Sequence, residues 1–134
     1  MSIKRYGVDG GKGTGGQHLP FARAVEADGW LYVSGQVAMV DGEVIDGGIV
    51  AQSHQAIKNV LAILKEAGYG PEHVVRCGVW LDDTRDFQSF NKVFKEYFGA
   101  CSRQWSSTAR LKWIAWRSSA ELNEAWGAMK PGVE

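Results

Sequence analysis

The sequence predicts an α+β fold in which a β-sheet packs against two helices. Apolar residues alternate with a period of two on both sides of an Asp-Gly pair at 28–29, a pattern typical of a β-hairpin. Two other segments, near 49–67 and 85–98, carry apolar residues at helical spacing. The segments follow one another as strand, hairpin, helix, strand and helix, an order that favours a layer of sheet covered by helices.

Composition restricts the class of protein. The 134 residues are enough for a single domain with a core, and we treat 1–134 as one domain. Lys+Arg and Asp+Glu number 15 each, so the zero net charge argues against nucleic acid or a membrane as a partner. Without a membrane-length apolar stretch or a signal-like opening, the expected location is the cytoplasm. Cys77 and Cys101 are then expected to be free thiols.

The N-terminal segment combines a short strand with a glycine-rich loop. The strand is predicted within 3–8 and the loop at 9–17. Gly11, Gly13 and Gly16 formally match the dinucleotide-binding pattern G-x-G-x-x-G. That pattern requires a helix directly after the glycines, whereas an extended segment is predicted here. We therefore predict no dinucleotide site.

The hairpin that follows ends in a candidate binding corner. Its strands are predicted at 22–27 and 30–33, because Asp-Gly at 28–29 tolerates the positive φ of a tight turn. Ser-Gly-Gln at 34–36 then ends the second strand. Glycine there would let a ligand approach the backbone, and its neighbours supply hydrogen-bonding groups. The alternative is that Gly35 merely permits a bulge or bend, which is the commoner role of a strand glycine.

The remaining elements follow in order. Two short strands, 37–40 and 43–45, flank a second Asp-Gly turn. The helix at 49–67 ends before Gly68, which stands where a C′ glycine belongs. A buried strand is predicted at 74–81, where the residues are mostly β-branched or aromatic.

The second helix is predicted at 85–98, after residues 82–84 that offer N-cap side chains. Its inner stripe is predicted to consist of Phe87, Phe90, Phe94 and Phe98, with Asn91 in the same stripe. A buried amide destabilises a protein unless its hydrogen bonds are satisfied. Asn91 is therefore interpreted either as a structural residue that ties down a loop or as a functional one.

Arrangements typical of metal binding or nucleophilic catalysis do not occur in the sequence. His18, His54 and His73 fall on separate predicted elements, without the spacing of metal ligands. No Ser/His/Asp arrangement or Cys-x-x-Cys motif is recognisable. We therefore expect no metal-binding residues.

Several motifs in combination resemble the RidA/YjgF reactive-intermediate deaminase family. They are P-F-A-R-A-V at 20–25, W-L-Y-V-S-G-Q at 30–36, V-V-R-C-G-V-W-L at 74–81 and F-x-x-F-N-K-V-F-x-E-Y-F-G at 87–99. The glycine-rich opening is most similar to the 2-aminomuconate deaminase branch. The resemblance implies a chorismate-mutase-like fold and a homotrimer with ligand sites in the clefts between subunits.

The activity implied by the resemblance is hydrolysis of an enamine or imine amino acid, here 2-aminomuconate, to 4-oxalocrotonate and ammonia. It implies no metal or organic cofactor, and its partner is a small-molecule carboxylate that must be held beside an oriented water. The substrate-binding positions carried over are Phe21, Ser34, Gly35, Gln36 and Asn91. Phe21 replaces the commoner tyrosine, so a hydroxyl is missing there. The alternative function is a non-catalytic trimeric ligand-binding module or an inactive relic of the family.

The resemblance stops after Gly99. The family continues with Pro-Pro-Ala-Arg, whose arginine binds the substrate carboxylate, and with a closing strand whose glutamate helps to place water. In this chain Arg103 is the candidate catalytic arginine by spacing, and Arg110 is a weaker second candidate. One hypothesis is that 100–134 is a translated frameshift of the family tail, because four tryptophans there exceed ordinary usage. The other is a genuine variant with a strand near 110–115.

Overall fold

The computed structural model describes residues 2–7, 18, 20–99 and 114–116. The strands are β1 (Ile3–Tyr6), β2 (Ala24–Ala27), β3 (Trp30–Val33), β4 (Met39–Val40), β5 (Glu43–Val44), β6 (Val79–Leu81) and β7 (Ile114–Trp116). The helices are α1 (Gly48–Glu66) and α2 (Phe87–Phe98), and two 3-10 turns lie at Pro71–His73 and Thr84–Asp86. The predicted α+β class, with sheet and two helices, is confirmed.

Strands β1, β2 and β3 form an antiparallel sheet in that order. The predicted turn of the β2–β3 hairpin is confirmed, since Asp28 and Gly29 both have positive φ, 55° and 78°. Two consecutive positive φ values give the turn a twist that matches the right-handed twist of the strands. The strand β2 begins two residues later than predicted, at Ala24.

The β4–β5 hairpin is shorter than predicted. Its turn at Asp41 and Gly42 is confirmed by positive φ values of 51° and 85°. However, the Met39 amide donates to the Val37 carbonyl at 2.8 Å, which closes a three-residue turn before β4. The first two residues predicted as strand are therefore used to change the direction of the chain.

The helix α1 confirms the predicted segment to within one residue at each end. It ends in a Schellman motif, in which Gly68 has a φ of 84°. The Gly68 amide donates to the Lys65 carbonyl at 3.1 Å, and the Tyr69 amide donates to the Leu64 carbonyl at 2.8 Å. A side chain at position 68 would strain this left-handed conformation.

The core lies between the two helices and one face of the sheet. Its buried members from the helices are Ala56, Ile57, Val60, Ile63, Leu64, Phe90, Val93 and Phe98. On the sheet side, Ile63 of α1 packs with Tyr6 of β1 and Ala24 of β2. A hydrogen bond of 2.7 Å between His54 Nδ1 and the Tyr97 hydroxyl also joins the helices. The predicted role of α1 as the cover of a sheet is confirmed.

The strand predicted at 74–81 is mostly wrong, because only 79–81 forms a strand. The Val74 amide donates to the Pro71 carbonyl at 3.2 Å and closes the preceding 3-10 turn. The partner of β6 is β7, which pairs with it in parallel over three described residues. A strand therefore exists in the tail, and it overlaps the end of the alternation at 110–115.

The prediction that Asn91 lies in the inner stripe of α2 is wrong, because Asn91 is exposed. The buried residues of α2 are Phe90, Val93 and Phe98, and the first residue, Phe87, is 43% exposed. At about 100° per residue, Asn91 is turned away from the stripe that Phe90 begins. The predicted N-cap within 82–84 is Asp83, whose Oδ1 accepts from the Arg85 amide at 2.8 Å. The element that it caps is the 3-10 turn, because α2 begins two residues later than predicted, at Phe87.

Candidate functional site

The 34–36 corner is anchored at its first residue by two hydrogen bonds to the neighbouring strand segment. The Ser34 amide donates to the Arg23 carbonyl at 2.9 Å, which continues the β2–β3 pairing beyond the end of β3. The Ser34 hydroxyl donates to the Ala22 carbonyl at 2.7 Å. Both the backbone and the side chain of Ser34 are therefore committed to holding the corner in place.

The third residue of the corner folds its side chain back over the first two. Gln36 Nε2 lies 3.1 Å from the Ser34 carbonyl oxygen and 3.2 Å from the Gly35 carbonyl oxygen. An amide nitrogen carries two protons, so these two carbonyls use its donor capacity. The Oε1 atom of Gln36 is left as the acceptor that this side chain can offer to a ligand or a water.

Gly35 is exposed between these two residues. The glycines with positive φ in the described part of the chain do not include Gly35. Gly35 therefore does not provide a left-handed bend, since its φ is not positive. What it provides is the absence of a side chain, which leaves the peptide groups of the corner open to close approach.

On α1, Asn59 holds the chain that leaves the corner, Gln55 orients Asn59, and Gln52 holds the far end of the β4–β5 hairpin. The sequence did not single out Asn59 or Gln55. Asn59 Nδ2 donates to the Val37 and Met39 carbonyls at 2.9 and 3.0 Å. Gln55 Nε2 donates to Asn59 Oδ1 at 2.9 Å, and Gln52 Nε2 donates to the Ile45 carbonyl at 2.9 Å. The available signal was the spacing of three amides along one side of a helix with an aliphatic stripe.

The other predicted site residues differ in how near the structure places them to the corner. Phe21 is 37% exposed and directly precedes Ala22, whose carbonyl accepts the Ser34 hydroxyl, so it lies beside the corner. Asn91 lies on α2, at an exposed position, and makes no hydrogen bond or ion pair with the residues that the structure describes. Arg103 and Arg110 lie outside the described residues.

The arginine nearest to the corner in the described sequence is already paired. Arg23 donates to Glu66 at 2.9 Å, and both side chains are nearly half exposed. Its aliphatic part lies against Gly7, where a Cβ would come within 2.9 Å of Arg23 Cγ. Arg23 therefore packs across β1 towards the end of α1, and its guanidinium is held by a carboxylate of the same chain.

A tyrosine–glutamate cluster lies on the helix-facing side of the sheet. The Glu26 carboxylate accepts from the Tyr6 and Tyr69 hydroxyls, each at 2.8 Å. These bonds, that from Tyr6 first, lower the pKa of Glu26 below its ordinary value of 4.5. The Lys4 ammonium lies 4.8 Å from the centre of the Tyr6 ring. The cluster joins β1, β2 and the loop after α1, and it accounts for Glu26 as a structural carboxylate.

Metal and thiol chemistry find little support in the described part of the chain. No group of three His, Cys, Asp or Glu residues within it could hold a metal ion. Burial raises the pKa of the Cys77 thiol to about 11, which makes it a poor nucleophile near neutral pH. No described helix is long and apolar enough to cross a membrane.

Comparison with known proteins relates the whole arrangement to one family. A profile of the family described as Endoribonuclease L-PSP matches residues 16–123. The 2-iminobutanoate/2-iminopropanoate deaminase of Mus musculus is 41% identical over 81 residues, 59% of this chain and 60% of that protein. A RutC family protein of Pyrococcus horikoshii is 38% identical over 82 residues, 60% of this chain and 65% of that protein. The matches thus span 60% to 65% of these relatives' length.

A solved structure agrees with these relatives. The crystal structure of a candidate endoribonuclease from Thermotoga maritima superposes with a TM-score of 0.61 at 26% identity. The superposition covers 84% of this chain and 84% of that one. The fold therefore extends over more of the chain than the sequence matches to the curated relatives do.

Proposed function

The chain belongs to the Endoribonuclease L-PSP family, which is the RidA/YjgF family that its motifs resemble, and on this premise we propose that it is a hydrolytic deaminase of enamine or imine amino acids. The relatives named as deaminases act on 2-imino acids. The observation that carries the proposal is the exposed backbone of Gly35, held between the anchored Ser34 and the folded-back Gln36. Such a corner offers fixed peptide groups to a small polar ligand.

The proposed reaction needs few catalytic groups. An enamine substrate is first protonated on carbon, which gives the protonated imine. Water adds to the carbon of the protonated imine and loses a proton, the nitrogen takes up a proton, and the carbon–nitrogen bond breaks. The remaining hydroxyl loses its proton, so the products are a ketone and ammonia. Because a protonated imine is already electrophilic, the protein has to bind the carboxylate, orient the water and keep the two in line. The Gly35 backbone and the Gln36 Oε1 atom suit the second task, with Phe21 as an apolar wall.

Within this class we propose 2-aminomuconate as the substrate and 4-oxalocrotonate plus ammonia as the products. The support is the resemblance of the glycine-rich opening, G-G-K-G-T-G-G-Q-H-L-P-F-A-R-A at 10–24, to that branch of the family. The rival substrates are saturated 2-imino acids, such as those named for the Mus musculus relative. Both kinds of substrate can be generated enzymatically in the assay, and ammonia release measured for each. A higher kcat/KM on 2-iminobutanoate than on 2-aminomuconate would reject the narrower proposal.

A non-catalytic ligand-binding module is the second candidate, because the sequence lacks the Pro-Pro-Ala-Arg segment and the closing-strand glutamate. The same assay separates the two candidates. Ammonia release above the spontaneous rate on either substrate supports the enzyme. No acceleration by folded, correctly assembled protein would reject it in favour of the binding module.

For the substrate carboxylate we propose Arg103 as the binding residue. A bidentate charge-assisted pair suits a guanidinium and a carboxylate. Replacing Arg103 by alanine is expected to weaken substrate binding by about 2 kcal/mol, or roughly 30-fold in KM. The variant Arg110→Ala removes the same charge from the same tail and serves as the matched control. An unchanged KM in Arg103→Ala would remove Arg103 from the site, and a rise in KM for Arg110→Ala alone would replace it by Arg110.

We also propose that the chain assembles as a homotrimer through the open face of its sheet. The residues of that face, aligned by the strand register, are Ile3, Arg5, Val25, Ala27, Trp30 and Tyr32. Trp30 and Tyr32 are each 56% exposed, whereas the opposite face packs against α1. A contiguous exposed patch with two large aromatic side chains is typical of a protein–protein interface.

Sedimentation measures this assembly directly. The expected mass of the wild type is three times that of the chain. The double variant Trp30→Lys/Tyr32→Lys is expected to sediment as a monomer, because two charges would be buried in an apolar interface. The control is Val50→Lys on α1, which also replaces an exposed apolar residue, 48% exposed, but away from the sheet. A wild type of monomer mass, or a trimeric double variant, would contradict the proposed interface.

A further inference from the structure

We infer that Asn59 is a positioning residue for the 34–36 corner, acting through the backbone and not by contact with substrate. The inference rests on the proposed function of that corner and adds a residue to its support. Asn59 Nδ2 donates to the carbonyls of Val37, the residue directly after the corner, and of Met39, at 2.9 and 3.0 Å. Both protons of one amide are therefore used on the chain that leaves the corner.

The orientation of the Asn59 amide is set by its neighbour on the helix. Gln55, one turn earlier on α1, donates its Nε2 to Asn59 Oδ1 at 2.9 Å. A flipped Asn59 amide would place its oxygen against the two carbonyls and its nitrogen against a donor. Gln55 thus fixes the orientation in which Asn59 can donate, as an i, i+4 pair on one helix face.

The corner is consequently held at both ends by different elements. Ser34 is fixed to the 22–23 segment before β2 through its amide and its hydroxyl, at 2.9 and 2.7 Å. Val37 is fixed to α1 through Asn59, and the helix itself is immobilised by the buried residues Ile57 and Val60 that flank Asn59. Gly35 lies between these two fixed residues. Fixing an exposed glycine on both sides reduces the freedom that it would otherwise lose on ligand binding.

A structural role in the β4–β5 hairpin is the competing explanation, and Gln52 provides the matched control. Gln52 lies on the same helix and donates its amide nitrogen to the Ile45 carbonyl at 2.9 Å. It therefore holds the same hairpin, but at the residue after β5 and not at the exit from the corner. If Asn59 only stabilised the hairpin, losing either amide would have the same consequence for the corner.

The first test is steady-state deamination of 2-iminobutanoate and 2-aminomuconate by Asn59→Ala, Gln55→Ala and Gln52→Ala. We expect Asn59→Ala to lower kcat/KM about tenfold, the equivalent of about 1.4 kcal/mol, because both hydrogen bonds to the chain that leaves the corner are lost. Gln55→Ala keeps the donor but frees its orientation, and is expected to lower kcat/KM about threefold. Gln52→Ala is expected to keep kcat/KM within about twofold of the wild type, and the thermal stability of both variants is measured so that activity can be compared with stability.

The second test does not depend on activity. Amide hydrogen exchange is measured by NMR at Ser34 and Met39, the hydrogen-bonded amides on either side of the exposed Gly35, in the wild type and in the Asn59 and Gln52 variants. We expect exchange in Asn59→Ala to be at least about tenfold faster than in Gln52→Ala. If the wild type releases no ammonia from either substrate, the proposed function fails and exchange alone decides the role of Asn59.

Two results would overturn the inference. One is equal exchange rates at Ser34 and Met39 in the Asn59 and Gln52 variants. The other is an equal fall of kcat/KM in both variants, because activity would then follow the stability of the hairpin. Should Asn59→Ala fail to fold, the comparison of Gln55→Ala with Gln52→Ala decides in the same way.

Discussion

Replacing Ser53 by alanine is expected to stabilise the protein. The Ser53 side chain on α1 is 0% exposed, and its hydroxyl has no hydrogen-bond partner among the residues that the structure describes. In mutational data a buried hydroxyl without a partner costs about 1–3 kcal/mol of free energy of unfolding. Alanine also has the higher helix propensity, by up to about 0.5 kcal/mol. The void left by removing one oxygen lowers the free energy of unfolding by about 0.3 kcal/mol, which offsets only a small part of these gains.

The net expectation for Ser53→Ala is an increase of about 1–2 kcal/mol in the free energy of unfolding. For a domain of this size that corresponds to a rise of roughly 4–8 °C in Tm. Urea denaturation followed by tryptophan fluorescence measures it, with the slope of the transition checked for a constant unfolded state.

The control for Ser53→Ala is Ser89→Ala on α2. Ser89 is half-buried, so its replacement gains helix propensity without removing a fully desolvated hydroxyl. We expect it to change the free energy of unfolding by no more than about 0.5 kcal/mol. If Ser53→Ala is no more stable than the wild type, the Ser53 hydroxyl has a hydrogen-bond partner in solution and the reasoning is refuted.

Three further predictions concern charge, thiol reactivity and packing. Glu26 has a lowered pKa, so its charge stabilises the fold above its ordinary pKa of 4.5 and loses that effect as the pH falls below it. The difference in free energy of unfolding between wild type and Glu26→Gln should therefore shrink between pH 5 and pH 3. A constant difference would contradict this. In a Cys101→Ser protein, where Cys77 is the remaining cysteine, Cys77 should react with a disulfide reagent at pH 8 much more slowly in the folded than in the urea-unfolded state, because its pKa in the fold is about 11. Equal rates would show an accessible thiolate. Phe90→Ala should lower the free energy of unfolding by about 3–5 kcal/mol, and Phe87→Ala by less than half as much, because Phe90 is 0% exposed and Phe87 is 43% exposed. Similar losses in the two variants would refute the assigned inner face of α2.

The elements that the sequence predicts well are those whose cause is local. Asp28-Gly29 and Asp41-Gly42 adopt the positive φ values that hairpin turns require, and Gly68 ends α1 in the conformation that suits glycine best. Turn geometry and helix capping depend on a few neighbouring residues. The order of the resulting strands and helices was then enough to predict the α+β class.

The sequence misplaced features whose cause lies far along the chain. The segment 74–81 has the composition of a strand, but a strand also needs a partner, and within the described residues β7 offers one only to 79–81. The side of α2 that faces the core depends on how that helix packs against α1, and this packing leaves Asn91 exposed. Propensity and periodicity do not contain either contact.

The candidate site also has one part that the sequence predicts and one part that it does not. The motif at 34–36 and its open glycine are visible in the sequence, because residue type and a strand end are local properties. The second anchor of the corner is not visible, since Asn59 reaches the Val37 and Met39 carbonyls across 22 and 20 residues. The Asn59 amide can donate to these two carbonyls only because α1 packs beside the β4–β5 hairpin. The sequence thus determined which groups the corner presents, and the tertiary structure decided what holds them in place.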